Sequence, residues 1–405
     1  MKWLKRLLIA AVSTAAVCGA LAGAAWFLYP FLSWKYDCLS SPAYLTVDET
    51  QYGFASLSSK QQEDYRAVYT ALSDRFSEDE TVSDGKETIL GTSVALPHPL
   101  SGDEAAAVYK ALINDIPMLF YLNNSLWYQG VDFPGLSGNV VYMIVGYRMD
   151  AKTRATAKAE IKQAAAELLC DLPADEYDRE LLLHDRLINA CTYDTEAAKD
   201  GNEKDPAYLS RYTLYGALAE KKAVCAGYAK AYQYLCTCAG LYARSVTGTD
   251  QKNGIAHMWN EVTVLGAVGY VDTTWDDSED RLTHRYFNLT AEEMAKTHTW
   301  DAARYPAPAL PSAENYYVHE GLYLDVANEE KIVALTAKAL REGRIAELRF
   351  AETAYAKARQ YMESGTPFGL AVNRLSGKTV IRDRYYTFSD DDTCVEIVFL
   401  EQKNS

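Results

Sequence analysis

The sequence predicts an α+β fold, with capped helical segments and short strands in separate stretches of the chain. Three observations predict it. Of 405 residues, 49% are apolar and 23% charged, a globular composition with length for two or three domains. Apolar residues recur with helical spacing behind Ser/Thr–x–x–Glu/Gln signatures. Short alternating apolar runs between 241 and 274 read as strands, the last two as a hairpin. The formal charge of −15 repels phosphate backbones, so no nucleic-acid partner is expected. Tyrosines number 30 against 11 phenylalanines, a bias that suits the walls of clefts and interfaces.

The elements follow in order. Lys2, Lys5 and Arg6 precede 28 uncharged residues, 7–34, enough to cross ~30 Å of hydrocarbon. Residues 1–39 are therefore expected to be a transmembrane signal-anchor, with the basic flank inside and the rest of the chain outside the cytoplasm. Trp26, Phe27, Tyr29, Phe31 and Trp34 resemble an aromatic interface belt. Small-x-small sites around Ala22 leave open a cleaved signal and a secreted protein. Residues 40–174 read as a mainly helical region. Ser59 and Gln62 have capping-box spacing ahead of Tyr65, Val68, Tyr69 and Leu72, and Ser101 with Glu104 repeats it ahead of Val108, Leu112 and Ile113. Pro117 ends that helix. Residues 140–147 read as a strand and 153–169 as a helix.

Residues 175–305 form the next region. Helices are expected over 176–191 and 224–239, with Gly240 at the stop position. Strands are expected over 241–248, 257–264 and 270–274, and Thr290 with Glu293 caps a short helix. Pro306, Pro308 and Pro311 mark a linker. Residues 312–405 then read as a small α+β domain, with helices over 329–340 and 353–362 and strands over 345–350, 368–373, 379–388 and 394–400.

Three fragments carry chemistry: Ala223-Val224-Cys225-Ala226-Gly227-Tyr228-Ala229, His257-Met258-Trp259-Asn260 and Val271-Asp272-Thr273-Thr274-Trp275-Asp276-Asp277. Cys225 opens a helix, where unpaired N–H groups and the macrodipole favour the nucleophilic thiolate. Lys221 and Lys222 push the same way. Gly227 leaves the first turn thin for a substrate backbone. A turn centred on Leu265-Gly266 sets His257 opposite Thr274 and Asp272 opposite Trp259, so His257 and Asp272 share a face as diagonal neighbours. A loop spanning 266–269 keeps the face and separates the pair further. In such an arrangement the aspartate fixes the imidazole tautomer and the histidine acts as base, then acid.

These fragments resemble the core of bacterial transglutaminase-like proteins. The resemblance takes in His184-Asp185-Arg186-Leu187, Tyr193-Asp194, Tyr215-Gly216-Ala217-Leu218 and Tyr286-Phe287-Asn288, about 120 residues in all. It implies a papain-like fold and a Cys-His-Asp triad, with Cys225 as nucleophile, His257 as base and Asp272 as orienting residue. The chain departs from the family pattern at Ala226, at Met258 and at the 266–269 turn. No triad member is lost, but substrate choice is not fixed.

Other features have plainer readings. Tyr215 offers a hydroxyl to an oxyanion or packs in the core, and Trp259 and Trp275 read as core or cleft wall. His184 reads as a packed histidine paired with Asp185. The acidic run 276–280 lacks the glycine and alternation of a calcium loop and reads as solvated. Cys236 and Cys238 have no second pair at metal-ligand spacing, so neither metal nor cofactor is expected. The function implied is acyl transfer at a peptide or carboxamide carbonyl through a Cys225 thioester, on a peptide or protein substrate, those of the cell envelope included. Hydrolysis and transamidation stay open. The alternative is a surface-anchored binding or assembly module with a vestigial triad.

Overall fold

The computed structural model describes residues 2–39, 47–83, 87–131, 133–201, 205, 207–278, 281–305, 310–343, 345–375, 381–390 and 392–401. Its contacts gather into two compact units, Met1–Glu167 and Leu168–Ser405.

The first unit opens with a single helix, α1 (Lys2–Leu39). Among the described residues no helix is long and apolar enough to cross a membrane. The side chains of residues 2–18, which hold the first part of the uncharged run, lie outside the described residues. The aromatic belt expected at the end of that run divides. Trp26 and Tyr29 are exposed, whereas Trp34 is buried with Val131 and Val141, its indole N–H donating to the Leu96 carbonyl at 3.1 Å. Phe31 stacks on Phe133 at 4.5 Å.

The reading of 40–174 as mainly helical is corrected. Helices α2 (Ser59–Asp74), α3 (Gly102–Asp115) and α4 (Ala151–Leu168) accompany a four-stranded antiparallel sheet. Its strands are β1 (Thr81–Ser83), β2 (Thr88–Leu100), β3 (Leu122–Gly130) and β4 (Val140–Tyr147), in the order β1-β2-β4-β3. Pro97 and Pro99 hide β2 from a sequence reading, because proline cannot donate to a ladder. Both fall where pairing with β4 jumps from Ala95 to Leu100. The first capping box is also one residue earlier than expected, formed by Ser58 and Gln61; the Ser101–Glu104 box forms as expected.

The second unit is built on an antiparallel sheet of β5 (Tyr242–Asp250), β6 (Ala256–Val264), β7 (Ala267–Val271) and β8 (His298–Trp300), in the order β8-β5-β6-β7. Helix α5 (Glu176–Ala190) and helix α6 (Cys225–Cys238) precede it, and α6 packs on β5 and β6. The buried face of α6 is Tyr228, Ala229, Tyr232, Leu235 and Cys236, three and four residues apart as a helix stripe requires. Asn260 on β6 donates its amide to the Ala229 carbonyl at 2.9 Å and ties strand to helix. The β6–β7 turn is Leu265-Gly266, both with positive φ (51° and 73°), the two-residue hairpin that suits strand twist.

Strand β7 stops at Val271, short of the expected 274, and the chain enters a one-turn helix, α7 (Thr273–Asp276). A capping box at Thr290 and Glu293 forms as expected.

Beyond the prolines, β9 (Tyr323–Leu324), β10 (Ala346–Phe350), β11 (Ile381–Ser389) and β12 (Cys394–Glu401) form a sheet in the order β9-β10-β12-β11. It is flanked by α8 (Glu329–Glu342), α9 (Glu352–Glu363) and α10 (Thr366–Asn373). The strand expected over 368–373 is thus a helix, entered through Gly365 at φ 73° with Pro367 in its first turn. Contacts cross the break expected after residue 305, and Leu168–Ser405 gathers into one compact unit. Arg281 pairs with Glu396, Arg285 with Asp392 at 2.5 Å, and His284 with Glu347 at 3.1 Å. A chain ending at Pro311 strips His284, Arg281 and Arg285 of these partners. It is expected to melt well below the full chain by circular dichroism; an unchanged midpoint would show the two parts to be separable.

Candidate active site

Cys225 is the first residue of α6, and its position is set by the segment before it. Residues Thr192–Tyr193 and Lys222–Ala223 pair as two short parallel strands, and the Val224 N–H donates to the Arg211 carbonyl at 3.0 Å. Gly227 lies in the first turn. A Cβ there would sit 2.6 Å from the Arg211 carbonyl oxygen and 3.0 Å from that of Thr213. The glycine therefore admits the chain's own 211–213 backbone, which corrects the expectation that it makes room for substrate. Lys222 pairs with Asp194 at 3.4 Å, so its charge is matched there.

His257, on β6, turns one ring nitrogen to Asp272 and its other face to Cys225. Its Nε2 lies 2.6 Å from Asp272 Oδ2, and the Cys225 thiol is near enough to the same ring to help raise its pKa. With Nε2 given to Asp272, Nδ1 is the nitrogen left for the thiol. The ring is 9% exposed and Asp272 is fully buried. Burial alone would lower the histidine pKa, but the Asp272 carboxylate and the Cys225 thiol outweigh it and raise the value to about 10. Burial likewise opposes the Asp272 charge, and His257 and His298 together hold its carboxyl below the usual carboxylate range.

The sequence reading made Asp272 a strand residue facing His257 diagonally. The register is the one expected from the Leu265-Gly266 turn, yet the ladder ends before Asp272. Asp272 is instead the N-cap of α7. Its Oδ1 accepts from the N–H groups of Thr274 at 2.9 Å and Trp275 at 3.2 Å, and its Oδ2 faces two histidines. The second is His298 on β8, fully buried, with Nε2 at 3.1 Å from Oδ2 and Nδ1 at 2.9 Å from the Thr297 hydroxyl. Sequence reasoning missed His298: it stands alone in His-Thr-Trp, on a strand that pairs with β5 and not with the hairpin. Its role is positioning, since it touches the carboxylate and not the thiol.

A groove of about 570 Å³ opens beside the thiol. Cys225, His257, Tyr193, Trp275, Asp250 and Asp277 are among its lining residues. Tyr215, offered by the sequence as an oxyanion donor, is half-buried on the short helix Leu214–Leu218 and does not line the groove. Tyr193 does, and burial together with the neighbouring Cys225 and Asp272 raises its hydroxyl pKa to about 12, so it stays protonated at neutral pH. Trp259 is core rather than cleft: it is 1% exposed and packs edge-on to His298 with ring centres 4.7 Å apart. The acidic run also departs from its solvated reading. Asp276 is fully buried against His184, and Asp277 accepts from the Tyr228 hydroxyl; residues 279 and 280 of that run lie outside the described residues. His184 pairs with Asp185 at 2.9 Å as expected.

Among the other thiols, burial pushes the Cys191 pKa up to about 12 and raises those of Cys236 and Cys394 well above the ordinary thiol value. None of the cysteines that the structure describes is in a disulfide. His257, Asp272 and His298 also bring ligand atoms within 4.8 Å of one another. There both histidines turn Nε2 to Asp272 Oδ2, which orients the rings about the carboxylate.

The His257–Asp272 pair has a calculable pH signature. The raised histidine contributes stability that is full below ~6.5 and lost as pH rises through about 10. The depressed aspartate contributes stability present above ~4 and lost on further acidification. The destabilisation of Asp272→Asn relative to wild type, read by urea unfolding, is therefore expected to peak between about pH 4 and 6.5 and to shrink towards pH 10. A difference that grows with pH would show that the pair is not ionised as described.

Residues 163–275 match the sequence model of the transglutaminase-like superfamily. No curated protein matches the chain. Among solved structures, one described as a TGase shares 15% identity over 47% of this chain and 52% of its own, with a TM-score of 0.29. A putative cysteine protease from Cytophaga hutchinsonii shares 20% over 39% and 47%, with a TM-score of 0.24. The periplasmic domain of TgpA from Pseudomonas aeruginosa shares 19% over 35% and 55%, with a TM-score of 0.14. The chain thus spans about half the length of the structures it matches. The segment 163–275, which sets Cys225 and His257 on the groove wall with Asp272 behind them, is thus similar to the transglutaminase-like superfamily.

Proposed function

We propose that the protein is an exported, membrane-anchored cysteine enzyme that cleaves or transfers the acyl group of a peptide or carboxamide. One observation carries this reading: a half-buried thiol at a helix start, sharing a groove wall with a histidine that is held by a buried aspartate and whose pKa the thiol helps to raise.

The Cys225 sulfur attacks the substrate carbonyl carbon, and its proton resides on His257. The C–S bond forms and the carbonyl oxygen takes the negative charge, within reach of donors at the start of α6 or of the Tyr193 hydroxyl on the groove wall. His257 then protonates the leaving amine as the C–N bond breaks, leaving a thioester. Water, deprotonated by His257, attacks that thioester and releases the acid and the thiol. An amine in place of water makes the same cycle a transamidation. Hydrolysis is the favoured outcome, because no feature reserves an amine site. Asp272 keeps the ring oriented throughout and balances the imidazolium.

Anchoring rests on the basic flank and the uncharged run 7–34. With that topology the substrates are peptides or proteins outside the cytoplasm, the cell envelope included. Protease added to intact cells is expected to digest the catalytic region and leave a mature N-terminus at or near Met1; a terminus near Gly23 or Ala25 would mean a cleaved signal.

The residues differ in how much chemistry they carry. Cys225→Ala is expected to abolish thioester formation. His257→Ala follows closely, with losses on the order of 10⁴–10⁶ in rate, and Asp272→Asn retains more. A cysteine electrophile gives the direct test. Labelling of Cys225 below pH 7 should be faster in wild type than in His257→Ala, with exposed Cys170 and Cys238 as internal references. Equal rates in both proteins would sink the triad and favour the binding-module reading.

A further inference from the structure

Four of the six histidines lie in two buried clusters at opposite ends of α7. The first serves Asp272. The second gathers at Asp276, the last residue of the helix, and the proposed reaction does not use it. His184 Nδ1 and His284 Nε2 both face Asp185 Oδ1, at 2.9 and 3.0 Å. These three ligand atoms lie within 4.8 Å of one another. Away from Asp185, each ring is held by a further carboxylate: His184 Nε2 by Asp276 at 3.2 Å and His284 Nδ1 by Glu347 at 3.1 Å.

Those outer carboxylates are themselves fixed. Asp276 accepts from the Thr283 hydroxyl at 2.9 Å and the Tyr286 N–H at 3.1 Å, and Glu347 accepts from the Tyr317 hydroxyl and the His284 N–H. Rings of Phe287 and Tyr232 stand edge-on to His184, and Tyr316 stacks on His284 at 3.9 Å. Histidines whose far nitrogens are hydrogen-bonded to carboxylates, with near nitrogens converging on one point, are the outer-shell pattern of imidazole-bound metals. His184 is fully buried, but the Asp185 side chain is 34% exposed, which leaves an entry and a place for a water ligand.

We infer that His184, Asp185 and His284 form a binding site for a divalent transition metal, zinc by ligand type, separate from the catalytic groove. Two imidazoles and one carboxylate suit zinc rather than magnesium or calcium. Bonds of about 2.0–2.2 Å put tetrahedral ligand atoms roughly 3.3 Å apart, so the two nitrogens need move only a few tenths of an ångström from Asp185 Oδ1. Each imidazole coordinates through the nitrogen facing Asp185 and keeps its remaining N–H on Asp276 or Glu347. The ion would clasp α5 to the 281–284 segment and, through Glu347, to β10. The inference does not rest on the acyl-transfer reading. The triad cluster lacks this pattern, because the far nitrogen of His298 meets the Thr297 hydroxyl and not a carboxylate.

The test uses the full-length chain in detergent, stripped with a chelator. Zinc is titrated against a chromogenic competitor, with magnesium in parallel, and the thermal midpoint is followed by circular dichroism. The expected result is one zinc per chain and a midpoint raised by several degrees, with no response to magnesium. Affinity should fall at least tenfold in Asp185→Asn and His284→Gln and be unchanged in His298→Gln. Cobalt in place of zinc should give visible bands without a thiolate charge-transfer band. Should His284→Gln fail to fold, Asp185→Asn with the cobalt spectrum decides. The inference is overturned by zinc affinity weaker than about 10 µM, by binding indifferent to Asp185→Asn, by a thiolate band, or by binding lost in His298→Gln alone.

Discussion

The carboxylate of Asp272 is sealed from water and yet ionised, and the site depends on how that charge is kept. Removing one partner of such a buried charge costs about 3–5 kcal/mol, because the charge that remains cannot be solvated. Here four donors share it: two backbone N–H groups of α7 on Oδ1 and two histidines on Oδ2. The backbone donors fix where the carboxylate points, and the carboxylate fixes where His257 points. The orientation of the ring beside the Cys225 thiol is inherited from a helix cap. His298 closes the last lone-pair direction from β8, so both edges of the sheet region around β6 contribute to orienting one ring.

Helix α7 is only one turn long, but it carries a carboxylate at each end. Asp272 addresses His257 and Asp276 addresses His184 on α5. Beyond His184 the alternation of acid and base continues through Asp185, His284 and Glu347 into the C-terminal sheet. This explains why residues after the prolines belong to the same compact unit as the groove. The proline-rich stretch looks like a tether in sequence, but charge pairing across it joins what composition separates.

The cluster of Cys225, His257 and Asp272 was legible because its three residues sit in fragments whose neighbours also shape local structure. Cys225 precedes a regular helix, His257 lies on an alternating strand, and Leu265-Gly266 sets the register that brings Asp272 close. What the alternation of Val271-Asp272-Thr273-Thr274 concealed is the change from strand to helix at the aspartate, which only the side-chain cap reveals. His298 was illegible because its partner is 26 residues earlier and its strand joins the far side of the sheet. The first unit's sheet was hidden by Pro97 and Pro99 in β2, which break the pattern a strand normally shows. The run 368–373 was ambiguous because a short apolar stretch fits either period; Pro367 behind Gly365 was the signal that favoured helix. Tyr215 and Trp259 were drawn to the site by their proximity to motifs, whereas the fold gives the groove wall to Tyr193 and Trp275.

The spacing of the two aspartates on α7 also limits how this part of the chain can change. An α-helix advances about 100° per residue, so Asp272 and Asp276 look the way they do only because three residues stand between them. Gaining or losing one residue there would swing one carboxylate about a quarter-turn or more away from its histidine while the other stayed in place. Substitutions at Thr273 and Thr274 alter contacts, but a change of length would uncouple groove from scaffold. The five residues from Asp272 to Asp276 behave as a ruler, and their count is as much a part of the site as their identities.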